Sequence, residues 1–163
     1  MSRTADTESA SVARVRADAA RLGLAIEPVR LDEGTRTAEA AAAACGCGVD
    51  QIVKSIIFRE AGRGRHVLFL TAGGNRVDPE RAAALAGAPL EKADAGSVRA
   101  VTGFAIGGVA PLGHLSPIDA WFDPKLLQYD VVWAAAGTPH HVFAIAPAAL
   151  VEATGATVAD FTV

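Results

Sequence analysis

The sequence contains little cysteine, few aromatic residues and no long apolar run. Two of the 163 residues are cysteine and 6% are aromatic. Cys45 and Cys47 are separated by one residue, too close for an ordinary disulfide, which excludes a disulfide-stabilised secreted scaffold. Zinc needs four ligands, and neither a second cysteine pair nor a suitably spaced histidine pair accompanies these two. We therefore expect no metal and no cofactor.

Strong net charge and membrane-spanning segments are also absent. The longest apolar stretches, near residues 101–112 and 142–151, are interrupted by glycine or proline, so no membrane span is expected. The first residues lack the apolar region of a signal peptide, which favours a cytoplasmic location. A net charge of -3 does not by itself indicate a nucleic-acid binder, although a local basic patch can serve that purpose.

The composition that remains fits one globular domain. The hydrophobic content of 51% allows one buried core, although alanine supplies much of it. We expect a flexible tail over residues 1–10 and a single domain over residues 11–163. Strands are predicted at residues 25–31, 51–60, 66–72, 118–122, 130–136 and 141–145. Because these strands come in adjacent runs, an α+β fold with a mostly antiparallel sheet is expected.

Capping residues predict where the helices begin and end. Ser11 is expected to begin a first helix that Gly23 ends, and an alanine-rich helix is predicted over residues 37–44. Three further starts place a proline at the first helical position, and an aspartate marks a fourth: Asp78-Pro79, Asp123-Pro124, Ala146-Pro147 and Asp94.

Lys54 is an unusual residue for its position. On the predicted strand 51–60, alternation places it on one face with Ile52, Ile56 and Phe58. Burying an unpaired ammonium group is costly, so such a lysine usually has a partner or a ligand, and its pKa can be lowered. The alternative is an edge strand from which the lysine reaches water.

A glycine-rich loop (residues 103–113) is the second candidate. It contains four glycines and Pro111. Such a segment can turn backbone N–H groups toward one point and bind a carbonyl oxygen, a carboxylate or a phosphate. Its spacing fits neither a dinucleotide-binding fingerprint nor a P-loop. The alternative is a structural turn between a helix and a strand.

Two histidines form the third candidate group. His140 and His141 enter a predicted strand, where adjacent residues face opposite ways, so at most one can face a given site. Because histidine titrates near neutrality, one of them is a candidate proton carrier or substrate contact. The alternative is a histidine that faces solvent or is satisfied by hydrogen bonds.

Together these segments resemble one known family. The matching residues, in family order, are Gln51-Ile-Val-Lys54-Ser55-Ile-Ile-Phe58, Leu70-Thr-Ala-Gly-Gly-Asn75-Arg76-Val77-Asp78, Gly107-Gly108-Val-Ala-Pro111-Leu-Gly113 and Ala136-Gly137. The chain resembles the YbaK-like family, also called the prolyl-tRNA-synthetase-associated (insertion-type) editing domain. The resemblance implies a curled, barrel-like, mostly antiparallel mixed sheet flanked by helices.

The resemblance also implies a function and a set of site residues. The implied activity is that of a free-standing enzyme that hydrolyses the ester of a tRNA mischarged with a small amino acid. Its partners would be the 3′ end of an aminoacyl-tRNA and an aminoacyl-tRNA synthetase. The implied catalytic residues are Lys54 and Gly107. The implied substrate-binding residues are Ser55, Ile56, Phe58, Gly108, Val109, Ala110, Pro111, His140 and His141.

The expected chemistry uses few groups. The N–H groups of Gly107 and Gly108 would stabilise the developing negative charge on the ester carbonyl, Lys54 would position the ester or the terminal phosphate, and water would attack. Ile56, Phe58 and the segment 109–110 would limit the pocket to small side chains. Two alternatives stay open: a non-catalytic binding module for aminoacyl-tRNA, an aminoacyl-adenylate or a synthetase, and a hydrolase of another small ester.

Overall fold

The computed structural model describes residues 9–32 and 37–163. Most of the expected N-terminal tail, residues 1–8, lies outside this part of the chain. Helix α1 begins at Ala10, so the last residue of that expected tail is helical. None of the helices in the described ranges is long and apolar enough to cross a membrane.

The described residues form one mixed sheet of eight strands. The strands are β1 (Val29–Arg30), β2 (Ile52–Glu60), β3 (His66–Ala72), β4 (Leu90–Lys92), β5 (Asp119–Phe122), β6 (Val132–Ala135), β7 (His141–Ile145) and β8 (Thr157–Val158). Their order is β1-β7-β6-β2-β3-β5-β8, and β4 also pairs with β2. The pairs β2–β6, β3–β5 and β5–β8 are parallel, whereas the other four are antiparallel. The sheet is open, and the predicted α+β domain is confirmed.

Five α-helices and two short 3₁₀ helices accompany the sheet in the described residues. They are α1 (Ala10–Arg21), α2 (Ala38–Cys45), α3 (Pro79–Ala86), α4 (Ala95–Thr102) and α5 (Pro147–Thr154), with 3₁₀ turns at Val49–Gln51 and Pro124–Gln128. The predicted caps Asp78 and Asp94 are confirmed, since each carboxylate accepts a backbone N–H from the first turn.

The predicted start of α1 was wrong. The hydroxyl of Ser9, and not that of Ser11, caps the helix by accepting the N–H of Val12 at 3.1 Å. Both serines have the chemistry of a cap. A start at Ser9 leaves Ser11 inside a longer helix, which gains the backbone hydrogen bond from Ala13 to Ser9.

Strands β2 and β3 pair as an antiparallel hairpin, which the two neighbouring strand patterns and their glycine-rich connection predict, and the hairpin lies in the middle of the sheet. Alternation along β2 sends Val53 and Ile57 into the main core and Ile56 and Phe58 toward a second apolar cluster around Phe69. The predicted edge strand at residues 25–31 is reduced to β1, which does lie at an end of the sheet. Strands β4 and β8 were not predicted, because two or three residues show no alternation.

A gap in the sheet lies beside β2. One edge of this strand pairs with β3 over almost its whole length. The other edge pairs with β6 at Ile52 and Val53, and with β4 from Phe58 to Glu60. Between these pairings, residues 54–57 have no strand partner on that edge within the described chain. This gap positions the site described next.

Candidate functional site

A cavity of about 520 Å³ opens at the gap beside β2. Its walls come from strands β2, β6 and β7, from helix α2, from the segment that joins β4 to α4 and from the glycine-rich loop. The lining residues are Thr37, Ala38, Ala41, Ile52, Val53, Lys54, Ser55, Ile56, Ile57, Phe58, Lys92, Ala93, Val98, Ile106, Gly107, Val109, Trp133, Ala134, Ala135 and Val142. Most of these side chains are apolar, and the volume lies in the range of small-molecule sites.

Lys54 projects from β2 beside this cavity with a partly buried side chain. Its Nζ donates to the backbone carbonyl of Asn75 at 2.6 Å, the one hydrogen bond it makes to the described residues. An ammonium group carries three N–H donors, so two remain for a ligand. Burial lowers the pKa of Lys54, while the negative charge of Glu39 acts in the opposite direction.

A buried carboxylate fixes the turn that receives Lys54. Asp123 is 2% exposed, and its Oδ2 accepts hydrogen bonds from Asn75 Nδ2 at 2.9 Å and Ala72 N at 3.0 Å. Its Oδ1 caps the following 3₁₀ helix by accepting the N–H of Lys125 at 2.9 Å. In the sequence, the pair Asp123-Pro124 predicts only a helix cap. The hydrogen bonds between Asp123 and the turn at Asn75 form because β3 pairs with β5.

The glycine-rich loop brings Gly107 and Val109 to the cavity wall. The N–H of Gly108 donates to Ala105 O at 3.0 Å within the loop, whereas the N–H groups of Gly107 and Val109 make no hydrogen bond to the described residues. Gly107 has a φ of +95°, a conformation that favours glycine. The amides left for a ligand oxygen are therefore those of Gly107 and Val109, where we had expected Gly107 and Gly108.

The loop lies against the turn that precedes β7. A Cβ atom on Gly108 would lie 2.7 Å from Thr138 Cα and 3.0 Å from Pro139 N. Only glycine allows the two backbones to approach this closely. The contact explains why position 108 requires glycine, although the N–H of Gly108 bonds within the loop and is not free for a ligand.

Ser55 follows Lys54 on β2 and lines the same cavity. Its hydroxyl is buried and has no hydrogen-bond partner among the described residues. A buried hydroxyl without a partner is costly, and buried polar groups are generally satisfied by protein, water or ligand. Ser55 is therefore a second polar residue of β2 at the cavity, and its contact with substrate stays a prediction.

His140 and His141 lie outside the residues that line the cavity. The Thr138 hydroxyl accepts the N–H of His140 at 3.1 Å and lies 2.6 Å from Nδ1 of His141. His140 Nδ1 is 3.3 Å from the carbonyl of Leu31. The His141 ring and the backbone N–H of His140 thus contact Thr138 in the turn beside Gly108, while the His140 ring contacts Leu31. A direct role of either histidine with substrate stays a prediction.

The structure brings six of the predicted site residues to the cavity: Lys54, Ser55, Ile56, Phe58, Gly107 and Val109. The remaining five, Gly108, Ala110, Pro111, His140 and His141, are not among its lining residues. Ala110 and Pro111 are buried residues of the loop itself. Sequence reasoning missed the walls formed by Trp133 and Val142. Both lie on predicted strands, but which strands border β2 was not evident from the sequence.

The two cysteines do not provide a nucleophile. Burial, with a smaller contribution from Cys47, raises the pKa of Cys45 to about 11. Burial also raises the pKa of Cys47. Both thiols are therefore protonated at neutral pH and are weak nucleophiles. Within the described ranges, no group of three or more His, Cys, Asp and Glu residues could hold a metal ion.

Comparison with models of known protein families identifies the family of this chain. The family model of the aminoacyl-tRNA editing domain matches residues 32–153. The chain belongs to the aminoacyl-tRNA editing domain family. The matched range contains Lys54, Ser55 and the whole glycine-rich loop, and it confirms the resemblance seen in the sequence. Helix α1 of this editing domain lies outside the matched range.

Related proteins extend the similarity beyond that range. One solved structure, described as "a putative trans-editing enzyme for prolyl tRNA synthetase", is 45% identical, with a TM-score of 0.90 over 96% of this chain and 99% of that chain. The hypothetical protein APE2540 is 31% identical, with a TM-score of 0.84 over 92% and 99%. The uncharacterized protein YwhH of Bacillus subtilis (strain 168) is 28% identical over 122 residues, 74% of this chain and 76% of YwhH.

Proposed function

We propose that this editing-domain protein is a free-standing deacylase that hydrolyses the ester of a tRNA mischarged with a small amino acid. One observation carries the proposal. Four residues with polar groups that lack a partner among the described residues line one cavity. These groups are two of the three ammonium N–H donors of Lys54, the hydroxyl of Ser55 and the backbone N–H groups of Gly107 and Val109. An ester has oxygens to accept from these donors, and its carbonyl oxygen becomes negative during hydrolysis.

The proposed reaction needs no protein nucleophile. A water molecule attacks the ester carbonyl carbon, and the bond to the ribose oxygen breaks. One proton of the water passes to the ribose oxygen and the other goes to solvent, so the amino acid leaves as a carboxylate. The loop amides stabilise the charge on the carbonyl oxygen, while the two remaining donors of Lys54 hold the ribose or the terminal phosphate.

Selectivity for a small amino acid is proposed to come from the size and polarity of the cavity. The apolar side chains of Ile56, Phe58 and Val109 leave room for a short substituent, and the Ser55 hydroxyl offers one hydrogen bond. One methylene of misfit discriminates between substrates by only about 10- to 200-fold. A preference among small amino acids is therefore expected, and not absolute identity.

Positive charge near the cavity supports an RNA substrate despite the net charge of -3. Lys92 lines the cavity together with Lys54. Arg76 lies close enough to Lys54 for its charge to contribute to the lowered pKa of that lysine. A local group of cations of this kind can contact the phosphates at the acceptor end of a tRNA.

The test is a deacylation screen with purified protein. We would charge tRNA with alanine, serine, threonine and cysteine. The tRNA for proline, mischarged with each of these amino acids, comes first because of the relative described above. Lys54→Met is expected to lower the rate by about 100-fold or more, because the ester is then no longer held in place at the loop amides, and a misplacement of 1 Å can cost about that much. Lys125→Met is the matched control, since its Nζ bonds to Gln128 and Lys125 does not line the cavity.

Two outcomes would contradict the proposal. Full activity of Lys54→Met would remove this lysine from the mechanism. If the protein binds aminoacyl-tRNA but hydrolyses none of the tested esters, it is a binding module that uses the same cavity and not a deacylase.

A further inference from the structure

Both ends of the glycine-rich loop meet the same helix, α1. Arg14 Nε donates to Gly113 O at 2.9 Å, and its Nη2 reaches Thr102 O at 3.5 Å. Asp18, one turn further along α1, accepts the N–H of Gly113 at 2.8 Å. One guanidinium and one carboxylate therefore join the residue before the loop to the last residue of the loop.

The first residues of the loop also lie against this guanidinium. Arg14 Cζ lies 4.5 Å from the centre of the Phe104 ring, which makes a cation–π contact. A Cβ on Gly103 would overlap Arg14 Nη2, and a Cβ on Gly113 would lie 3.3 Å from Val15 Cα. The planar group fits between the two ends of the loop because glycines leave space for it.

Helix α1 holds the loop from a second direction as well. A Cβ on Gly137 would lie 2.9 Å from the backbone of Ser11. Gly137 begins the turn whose Thr138 contacts Gly108 of the loop. The start of α1 thus supports the turn, the turn supports the middle of the loop, and Arg14 joins the ends of the loop.

We infer that Arg14 and Asp18 are positioning residues, which act through the glycine-rich loop to hold the N–H groups of Gly107 and Val109 at the substrate carbonyl. The inference rests on the proposed function for its catalytic part. It assigns a role to a helix that lies outside the range matched by the family model, residues 32–153. Neither Arg14 nor Asp18 lines the cavity, so neither is a catalytic residue.

The physical reason is the sensitivity of catalysis to donor geometry. Loop amides act best when they are already aimed at the developing oxyanion, and a misplacement of 1 Å can cost about 100-fold in rate. A guanidinium is planar and presents its donors in a fixed fork, whereas a lysine ammonium is a point charge on a flexible stem. Lysine at position 14 therefore keeps the positive charge, but its ammonium cannot reproduce the two guanidinium hydrogen bonds to Thr102 O and Gly113 O.

The test compares Arg14→Gln, Arg14→Lys and Asp18→Ala with one control on the same helix. Ala17→Gly weakens α1 at an exposed position without touching the loop. Hydrogen exchange of the loop amides is measured in the free, full-length protein. The kinetic constants are measured with the best aminoacyl-tRNA from the screen.

The expected result is a specific loss. Arg14→Gln should speed exchange in residues 103–113 and lower kcat by about tenfold or more, with a smaller change in KM. Asp18→Ala should show the same effects, smaller in size. Arg14→Lys should recover little, and Ala17→Gly should keep wild-type kcat even if it unfolds more readily.

Three results would contradict a positioning role for Arg14. Wild-type exchange and kcat in Arg14→Gln, full recovery by Arg14→Lys, or an equal loss of kcat in Ala17→Gly would each overturn the inference. Failure of the proposed function is recognised separately. If the wild type hydrolyses no aminoacyl-tRNA, loop exchange in the same variants still decides whether Arg14 holds the loop.

Discussion

Replacing Gly108 by alanine tests whether the position of the glycine-rich loop controls the reaction. The added Cβ would lie 2.7 Å from Thr138 Cα and 3.0 Å from Pro139 N. Ordinary contact begins near 3.4 Å, so the loop or the turn must move by about 0.7 Å. Both neighbouring atoms belong to the backbone, which cannot swing aside as the end of a flexible side chain could.

The size of the effect follows from that displacement. Since a misplacement of 1 Å can cost about 100-fold, Gly108→Ala is expected to lower kcat by about 10- to 100-fold. The overpacked contact should also lower the free energy of unfolding by about 1–3 kcal/mol. Gly108 is not among the glycines with positive φ, so backbone strain would not account for either loss.

The assay is deacylation of the best substrate from the screen, together with urea denaturation. Gly96→Ala is the matched control, because a Cβ at this position of α4 meets nothing within 4 Å. This control should keep wild-type kcat and gain up to about 1 kcal/mol of stability. Wild-type kcat and stability in Gly108→Ala would refute the reasoning, since the contact would then yield without moving the amides.

Three further predictions concern the Lys54 side of the cavity. Asp123→Ala removes a buried acceptor of three hydrogen bonds and should lower the free energy of unfolding in urea by roughly 2–4 kcal/mol, with a loss of kcat because the turn at Asn75 is released. Asp123→Asn, which keeps one acceptor oxygen, should lose less, and equal losses would contradict the hydrogen-bond argument. Ser55→Ala removes a buried hydroxyl without a partner, so Tm should rise while the ratio of kcat/KM between serine and alanine esters changes. An unchanged ratio would remove Ser55 from substrate recognition. Since the pKa of Lys54 is lowered from 10.5, activity should fall as the pH rises through a value below 10.5 and the ammonium loses its proton. Lys54→Arg should keep its own activity to higher pH, because guanidinium stays charged, and an identical fall in both proteins would assign the pH dependence to another group.

The candidate site was only partly visible in the sequence. Lys54 stood out because a charged residue interrupts an apolar strand, and the loop stood out because four glycines fall close together. The engaged amide of Gly108 could not be foreseen, since its bond to Ala105 depends on the path of the loop. The role of Asp123 was hidden for a related reason. A helix cap and a buried support for Asn75 require the same residue type, and the second role needs a partner 48 positions away.

Local chemistry determined much of the fold from the sequence alone. The caps at Asp78 and Asp94 and the β2–β3 hairpin were predictable, because a cap or a hairpin needs only residues a few positions apart. Tertiary structure alone decided that β6 and β4 pair with different parts of one edge of β2 and leave a gap between them. It also decided that α1 reaches the loop through Arg14. Such contacts join residues far apart in the chain, and no local propensity or alternation records which distant surfaces will meet.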